Sequence, residues 1–381
     1  MGHAAAPAPF EYELLARRVV FGHGAVDRLA GEVDRIGATR VLVVAGQRRD
    51  GELRERLGGR CAGSFTDVVQ HVPVETATAA REAARQLGAD CLVACGGGSA
   101  IGLAKAVALE RRVPIVALPT SYAGSEMTPI WGMTTAHRKQ TGRDAGVAPA
   151  VVLYDPGLTL GMPARLTASS GMNAVAHCVE GLYGPGANPV TGALATDGLR
   201  RLAAGLVGSV REPADPRARA EALLGAHLAG SVLAVAGVAI HHQLCHVLGG
   251  AFGLDHADLN AVVLPHAVRF VAREVPREMA TVEATLGAEP GDAAGALYDL
   301  ARSLGAPASL AEIGLDASDL GVAAEAAAAQ VAQRPRPAGQ AELQALLEAA
   351  WAGERPAATP RPAPSGRAAM APAELDGKGE G

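Results

Sequence analysis

The segment CLVACGGGSAIGLAKAVALE (91–110) constrains the fold more than any other part of the chain. An apolar run of strand length ends in three glycines, and a helix-length run begins at once. A second apolar run, VPIVALPT (113–120), follows closely. Strand, tight turn, helix and strand in that order make a parallel strand pair joined by a helical crossover. RVLVVAG (40–46) and APAVVLYDP (148–156) supply further strands, and Thr76 to Leu87 a further helix. Strands covered on both faces read as continuous apolar runs, so residues 1–157 are expected to form an α/β domain with a parallel sheet.

The pattern changes after Asp155-Pro156. From Leu166 to about Ala350, Ala and Leu recur with helical periodicity, and Gly and Pro fall between the segments. LLGAHLAGSVLAVAGVAI (223–240) is apolar nearly all round and predicts a central buried helix. An all-α second domain is expected over 158–352, with the ligand site in the cleft between the domains. Residues 353–381, rich in Pro, Ala, Gly and charge and without periodicity, predict a disordered tail. A chain of 381 residues, 49% of them hydrophobic, can bury two such cores.

Several classes of partner are poor fits. The net charge is -5, no long Lys/Arg block occurs, and aromatics are only 3%, which argues against nucleic acid. The N-terminus, MGHAAAPAPFEYELL, lacks the basic and apolar regions of a signal peptide. Gly230 to Ile240 is too short and Gly-rich to span a bilayer. A soluble, cytoplasmic protein with no membrane partner is expected. The five cysteines, Cys61, Cys91, Cys95, Cys178 and Cys245, form no CxxC pair, and their odd number argues against a disulfide framework. A ligand role for Cys178 or Cys245, which neighbour histidines in sequence, stays open beside the ordinary role of a small buried hydrophobe.

Gly96-Gly97-Gly98-Ser99 follows a strand and opens a helix. Such a turn presents free N–H groups and a partial positive charge to a phosphate, although a ligand-free tight turn gives the same pattern. It is not the GxGxxG fingerprint. The next strand ends in PTSYAGSEMTP (119–129), whose Thr120, Ser121 and Ser125 can hydrogen-bond phosphate, ribose or nicotinamide. Two such loops at neighbouring strand ends of a parallel sheet reinforce each other. Gln47 follows the first strand, at the place where an adenosine ribose is met. No Asp stands there, and Arg48 or Arg49 could tolerate a 2′-phosphate, so NADH and NADPH are both open as cofactors.

Two helix-spaced polar pairs carry the chemistry. Asn173 and His177 lie four apart, as do His242 and His246, and His256 follows. Three histidines with a carboxylate would make an ordinary Fe or Zn site. Here the carboxylate position reads Asn, which removes one negative charge and lowers affinity for a cation.

Taken together, GGGSAIGLAKAVAL (96–109), LPTSYAGSEMTPIWG (118–132), LTASSGMNAVAHCVEGLYG (166–184) and HHQLCHVLGGAFGLDHADLNAVVLPH (241–266) resemble the iron-containing alcohol dehydrogenase-like superfamily. Within it the chain looks most like the maleylacetate reductases. The resemblance covers roughly residues 10–350. It implies a nucleotide-binding α/β domain, a helical domain, a cleft between them and assembly as a homodimer. In metal-dependent members the ligand positions fall on Asn173, His177, His242 and His256, and Asn at the first is what maleylacetate reductases generally show. The expected reaction is therefore metal-independent reduction of a conjugated C=C bond in a dicarboxylate. His242 or His246 is expected to donate the proton, with His177 and His256 polarising or positioning the substrate; His241 and His266 are expected to be structural. Lys139, Tyr122 and Ser121 are expected to meet substrate carboxylates, Lys139 on the resemblance to a family lysine. Alternatives are a metal-dependent alcohol or polyol dehydrogenase, a reductase of another unsaturated oxo acid, and a nucleotide-binding protein without catalysis.

Overall fold

The computed structural model describes residues 10–13, 17–135, 138–331 and 335–360; the side chains of Arg138 and Lys139 lie outside that description. The first half places Arg18–Phe21 (β1), Val41–Ala45 (β2), Cys61–Phe65 (β3), Cys91–Gly96 (β4) and Ile115–Pro119 (β5) in one sheet. Ile130–Thr135 (β6) and Arg138–Arg143 (β7) form a separate antiparallel hairpin, and Val151–Tyr154 (β8) returns to the main sheet. The sheet order is β1-β8-β5-β4-β2-β3, every pair parallel. The central runs β2, β5 and β8 are wholly buried, as their continuous apolar sequences require. Leu29–Arg35 (α1), Gln47–Leu57 (α2), Val74–Gln86 (α3) and Gly98–Arg111 (α4) connect the strands.

The topology fixes where a ligand collects. From β2 the chain runs through α2 to the edge strand β3; from β4 it runs through α4 to β5, in the opposite direction. The reversal lies between β2 and β4, whose last residues stand in register, Ala45 opposite Cys95. The Gly46–Gln47 turn into α2 and the Gly96–Ser99 turn into α4 are thus neighbours at the carboxyl ends of the strands, where open α/β sheets bind ligands.

The second half is helical: Ala164–Gly181 (α5), Pro189–Arg211 (α6), Pro216–Ala236 (α7), Ile240–Phe252 (α8), His256–Val271 (α9), Pro276–Leu286 (α10), Ala293–Ser303 (α11), Leu320–Gln330 (α12) and Gln340–Ala352 (α13). The helix expected over 223–240 is divided. α7 ends at Gly237, whose φ of +72° only glycine adopts readily, and Ile240 begins a new helix. By length and composition α7 could cross a membrane, but here it packs against α5 and α6 and carries the wholly buried Arg219. Backbones of α6 and α7 approach so closely that a Cβ on Gly205 would stand 2.4 Å from the amide nitrogen of Ala222.

Several contacts join the halves, among them two at the loop after β5. Gly124 (φ +75°), in the loop after β5, rests on α7, where a Cβ added to Gly230 would lie 3.0 Å from the Gly124 Cα. Beside it, Arg219 donates to Thr167 Oγ1 at 2.9 Å, Met162 O at 3.2 Å, Pro213 O at 3.1 Å and the Tyr122 hydroxyl at 3.4 Å. Residues 353–360, placed by the sequence in a disordered tail, are ordered along the helical domain. Arg355 pairs with Asp292 and Asp299, and the Thr359 amide donates to Gly291 O. Residues 361–381 lie outside the described residues.

Two predictions follow from this packing. Gly205→Val must push α6 from α7, and overpacking of this kind costs roughly 1–3 kcal/mol; a lowered urea midpoint with unchanged slope is the expected result. The second concerns acid. Burial holds His227 near 4, His241 near 3 and His266 near 4, and pushes His177 and His242 well below the ordinary value of 6.5. The unfolded chain takes up these protons near pH 6.5 and the folded chain does not, so stability falls as pH drops below about 6.5. Buried Glu126 and Glu180, raised by desolvation, oppose this only in part. The urea midpoint should be lower at pH 5 than at pH 7.5.

Candidate active site

Helix α5 presents Ser170, Asn173, His177 and Glu180 at spacings of three, four and three, one face of a helix. Ser170 Oγ accepts the Tyr122 amide at 2.8 Å and so fixes the loop after β5 against this helix. Helix α8, in direct contact with α5, carries His241, His242 and His246. α9 starts at His256, with the Asp255 carboxylate accepting the amides of Ala257 and Asp258.

These helices are tied by one polar chain. Glu180 Oε2 lies 2.6 Å from His242 Nδ1, and Glu180 Oε1 accepts the His241 amide at 2.8 Å. His242 Nε2 lies 3.3 Å from Asn173 Oδ1. His241 Nε2 lies 3.0 Å from Asn260 Oδ1, and the Asn260 amide group donates to His256 O at 2.6 Å. Burial pushes the Glu180 carboxyl up and the His242 imidazole down, so both directions favour an overall neutral pair.

The four histidines form two stacks. His177 and His242 lie face to face, with centroids 4.3 Å apart and planes 6° apart, both buried. His246 and His256 stack at 5.4 Å and 16°, His246 exposed and His256 half-buried. His177 is held well below the usual range by desolvation first, then by His242, His256 and His246, which places all four rings within electrostatic reach. His177 Nδ1 is buried with no hydrogen-bond partner among the described residues.

As packed here, the His177 and His242 rings are not turned to share one Fe or Zn. A cation lies in the plane of each imidazole that binds it, and two stacked parallel rings cannot both aim a lone pair at one ion. Asn173 adds only a neutral oxygen. Among the described residues no three His, Cys, Asp or Glu side chains are grouped to hold a metal. Cys178 is buried against Gly198, and Cys245 Sγ lies 3.8 Å from His241 Nε2, so neither sulfur joins the stacks as a ligand.

The nucleotide side does fit. Gly97 caps α4 in extended conformation without a side-chain partner, leaving the first-turn amides of Gly98 and Ser99 to an anion. A Cβ on Gly97 would stand 2.9 Å from Ser121 Oγ, so a side chain there would have to displace the Ser121 hydroxyl from the cradle between the two loops. Thr120 donates its amide to Gly96 O at 3.0 Å, which joins the loops. Gln47 is exposed at the start of α2, whereas Arg49 is engaged by Glu52 and Leu158 O. Ser125 Oγ lies 3.2 Å from Lys105 Nζ.

Tyr122 is placed differently from the expectation. It is fully buried, and its hydroxyl faces Arg219 rather than the cleft; it anchors the loop and does not reach a substrate. Lys139 lies on β7, opposite Thr134, with its side chain outside the described residues. Three residues were missed by sequence reasoning. Glu180, seven residues after Asn173 on the same helix face, was legible in the spacing. Lys105 and Arg219 lie within helical runs whose pattern gives no sign that a buried cation is intended.

The sequence model of iron-containing alcohol dehydrogenase matches residues 16–156, and that of the C-terminal part of the Fe-containing alcohol dehydrogenase family matches 167–351. Maleylacetate reductase of Burkholderia cepacia is 46% identical over 350 residues, covering 91% of this chain and 99% of that one. Maleylacetate reductase 2 of Cupriavidus pinatubonensis is 48% identical over 346 residues, covering 89% and 96%. The crystal structure of maleylacetate reductase from Agrobacterium tumefaciens superposes with a TM-score of 0.88 at 42% identity, covering 92% of this chain and all of that one. With both halves of the chain matched, the chain belongs to the iron-containing alcohol dehydrogenase family of oxidoreductases.

Proposed function

We propose that this enzyme reduces the conjugated C=C bond of maleylacetate to 3-oxoadipate, with NADH or NADPH, in the breakdown of hydroxyquinol- or chlorocatechol-type aromatics. The observation that carries the reading is Asn173. It sets a neutral amide against His242 where metal-dependent relatives place a carboxylate ligand, in a chain 46% identical to a maleylacetate reductase. Gly96, Gly97, Gly98, Ser99, Thr120, Ser121, Ser125 and Gln47 would hold the dinucleotide. When bound, the nicotinamide supplies the hydride that adds to the alkene carbon β to the ketone.

The side chains supply the rest. Reduction of a conjugated enone puts negative charge on the ketone oxygen, and hydrogen-bond donors suffice to hold an oxygen whose charge is shared along the conjugated system. His177 Nδ1, buried and with no hydrogen-bond partner among the described residues, is the group proposed to meet it. His242 has both nitrogens engaged, by Glu180 and Asn173, and therefore frames the pocket. His246, exposed at the mouth with His256 stacked on it, can be re-protonated from water and is the proposed donor to the α carbon. Lys139 and Ser121 are proposed anchors for the substrate carboxylates. The open sheet edge at β1 and the exposed Phe10 and Tyr12 support a homodimer. Five free cysteines, four of them buried, support a cytoplasmic location.

The test is oxidation of NADH, and of NADPH, by maleylacetate with chelator-stripped enzyme, with and without added Zn or Fe. Rapid turnover without metal is expected. Turnover only with metal would assign the chain to the metal-dependent alcohol or polyol dehydrogenases; none under any condition would mean another unsaturated oxo acid. Asn173→Asp should bind Zn more tightly in equilibrium dialysis than the parent enzyme. His246→Ala should lower kcat about a hundredfold while leaving the KM for NADH within a few-fold, as loss of a general acid does.

A further inference from the structure

The ammonium of Lys105 is fully buried in α4, and the partners it has among the described residues lie within one segment, from Ser125 to the start of β6 at Ile130. Nζ donates to Ser125 O at 2.6 Å and Ile130 O at 2.8 Å, with Ser125 Oγ and Thr128 Oγ1 each at 3.2 Å. Among the described residues no carboxylate stands at ion-pair distance, since the nearby Glu126 accepts from the Tyr154 hydroxyl at 2.7 Å instead. Desolvation pushes this lysine down to about 7, against the pull of Glu126. A methionine would fill similar space without that penalty. What the ammonium adds is geometry, because it gathers backbone and side-chain oxygens from positions 125, 128 and 130 around one point.

The loop it gathers spans the two ends of the cleft. Ser121 packs on Gly97 at the phosphate-binding turn. Further along, the Ala123 backbone approaches the His177 ring, and the Tyr122 amide is tied to Ser170 on α5. A ligand reaching from the turn to the histidine stacks must pass over residues 121–125. The turn itself opens α4, and Lys105 sits seven residues after Gly98, two helical turns on and on the same side. One rigid helix thus carries both the phosphate cradle and the clamp on the loop beside the reactive end.

We infer that Lys105 is a positioning residue for the nicotinamide end of the cofactor site, holding the 121–130 loop in register with the phosphate-binding turn. The inference rests on the NAD(P)H reading proposed above. It assigns Lys105 no contact with the cofactor and no proton transfer; Ser125, which it orients, is the candidate contact.

The experiment compares two ligands on wild type, Lys105→Met and Thr128→Val by isothermal titration. NADH carries the nicotinamide; ADP-ribose carries both phosphates and the adenosine without it. For Lys105→Met the Kd for NADH should rise about tenfold, toward that of ADP-ribose, with the ADP-ribose Kd unchanged within about twofold. Thr128→Val should shift NADH in the same direction by less. Circular dichroism and the thermal midpoint report whether each variant is folded; if Lys105→Met is not, Thr128→Val decides. Equal weakening of both ligands would make Lys105 a general structural residue and overturn the inference, as would an unchanged NADH Kd. Wild type binding neither NADH nor NADPH would instead overturn the cofactor reading, and this inference with it.

Discussion

The carboxylate of Glu180 does two things on which the geometry of the cleft depends. Helix α8 is preceded at its N-cap by Ala239, whose side chain cannot cap it. Glu180, on another helix, accepts the His241 amide in that first turn and so satisfies one of the amides a helix start leaves unpaired. Its other oxygen holds the His242 ring. One buried group therefore sets where α8 starts and how its second histidine, His242, is turned. Through Asn173 and the stack with His177, the same constraint reaches the other wall of the cleft.

Much of this was legible in the sequence, for identifiable reasons. The strands β2, β4, β5 and β8 are covered on both faces, so their residues had to be apolar in unbroken runs. The edge strands escaped notice because they need not be: β3 is half-buried throughout, and only Val20 of β1 is buried. The hairpin β6–β7 leaves no such signal, because HRKQTGRD has no apolar alternation to betray it. The division of 223–240 turned on a single glycine at positive φ, which periodicity does not register.

The site shows the same asymmetry. Asn173, His177, His242 and His246 could be paired by spacing, because a helix converts four positions into one face. Tyr122 was misjudged since the direction of its hydroxyl is set by Arg219, 97 residues later. Contacts of that span leave no local trace. The resemblance to a family supplied positions, but the stacking of the rings is a property of packed helices alone.

The pairing of Gly98 and Lys105 on one helix has a consequence for how the chain can vary. Adding or removing a single residue between them would turn Lys105 by about 100° around the helix axis and away from Ser125. Substitutions in 98–105 can be graded in effect, but a change of length there is all-or-nothing. Length is free to change only beyond the helix, as at Arg112, where a left-handed residue with φ +53° already breaks the run. Within α4 the chain behaves as a ruler, and the interval it measures is whole turns.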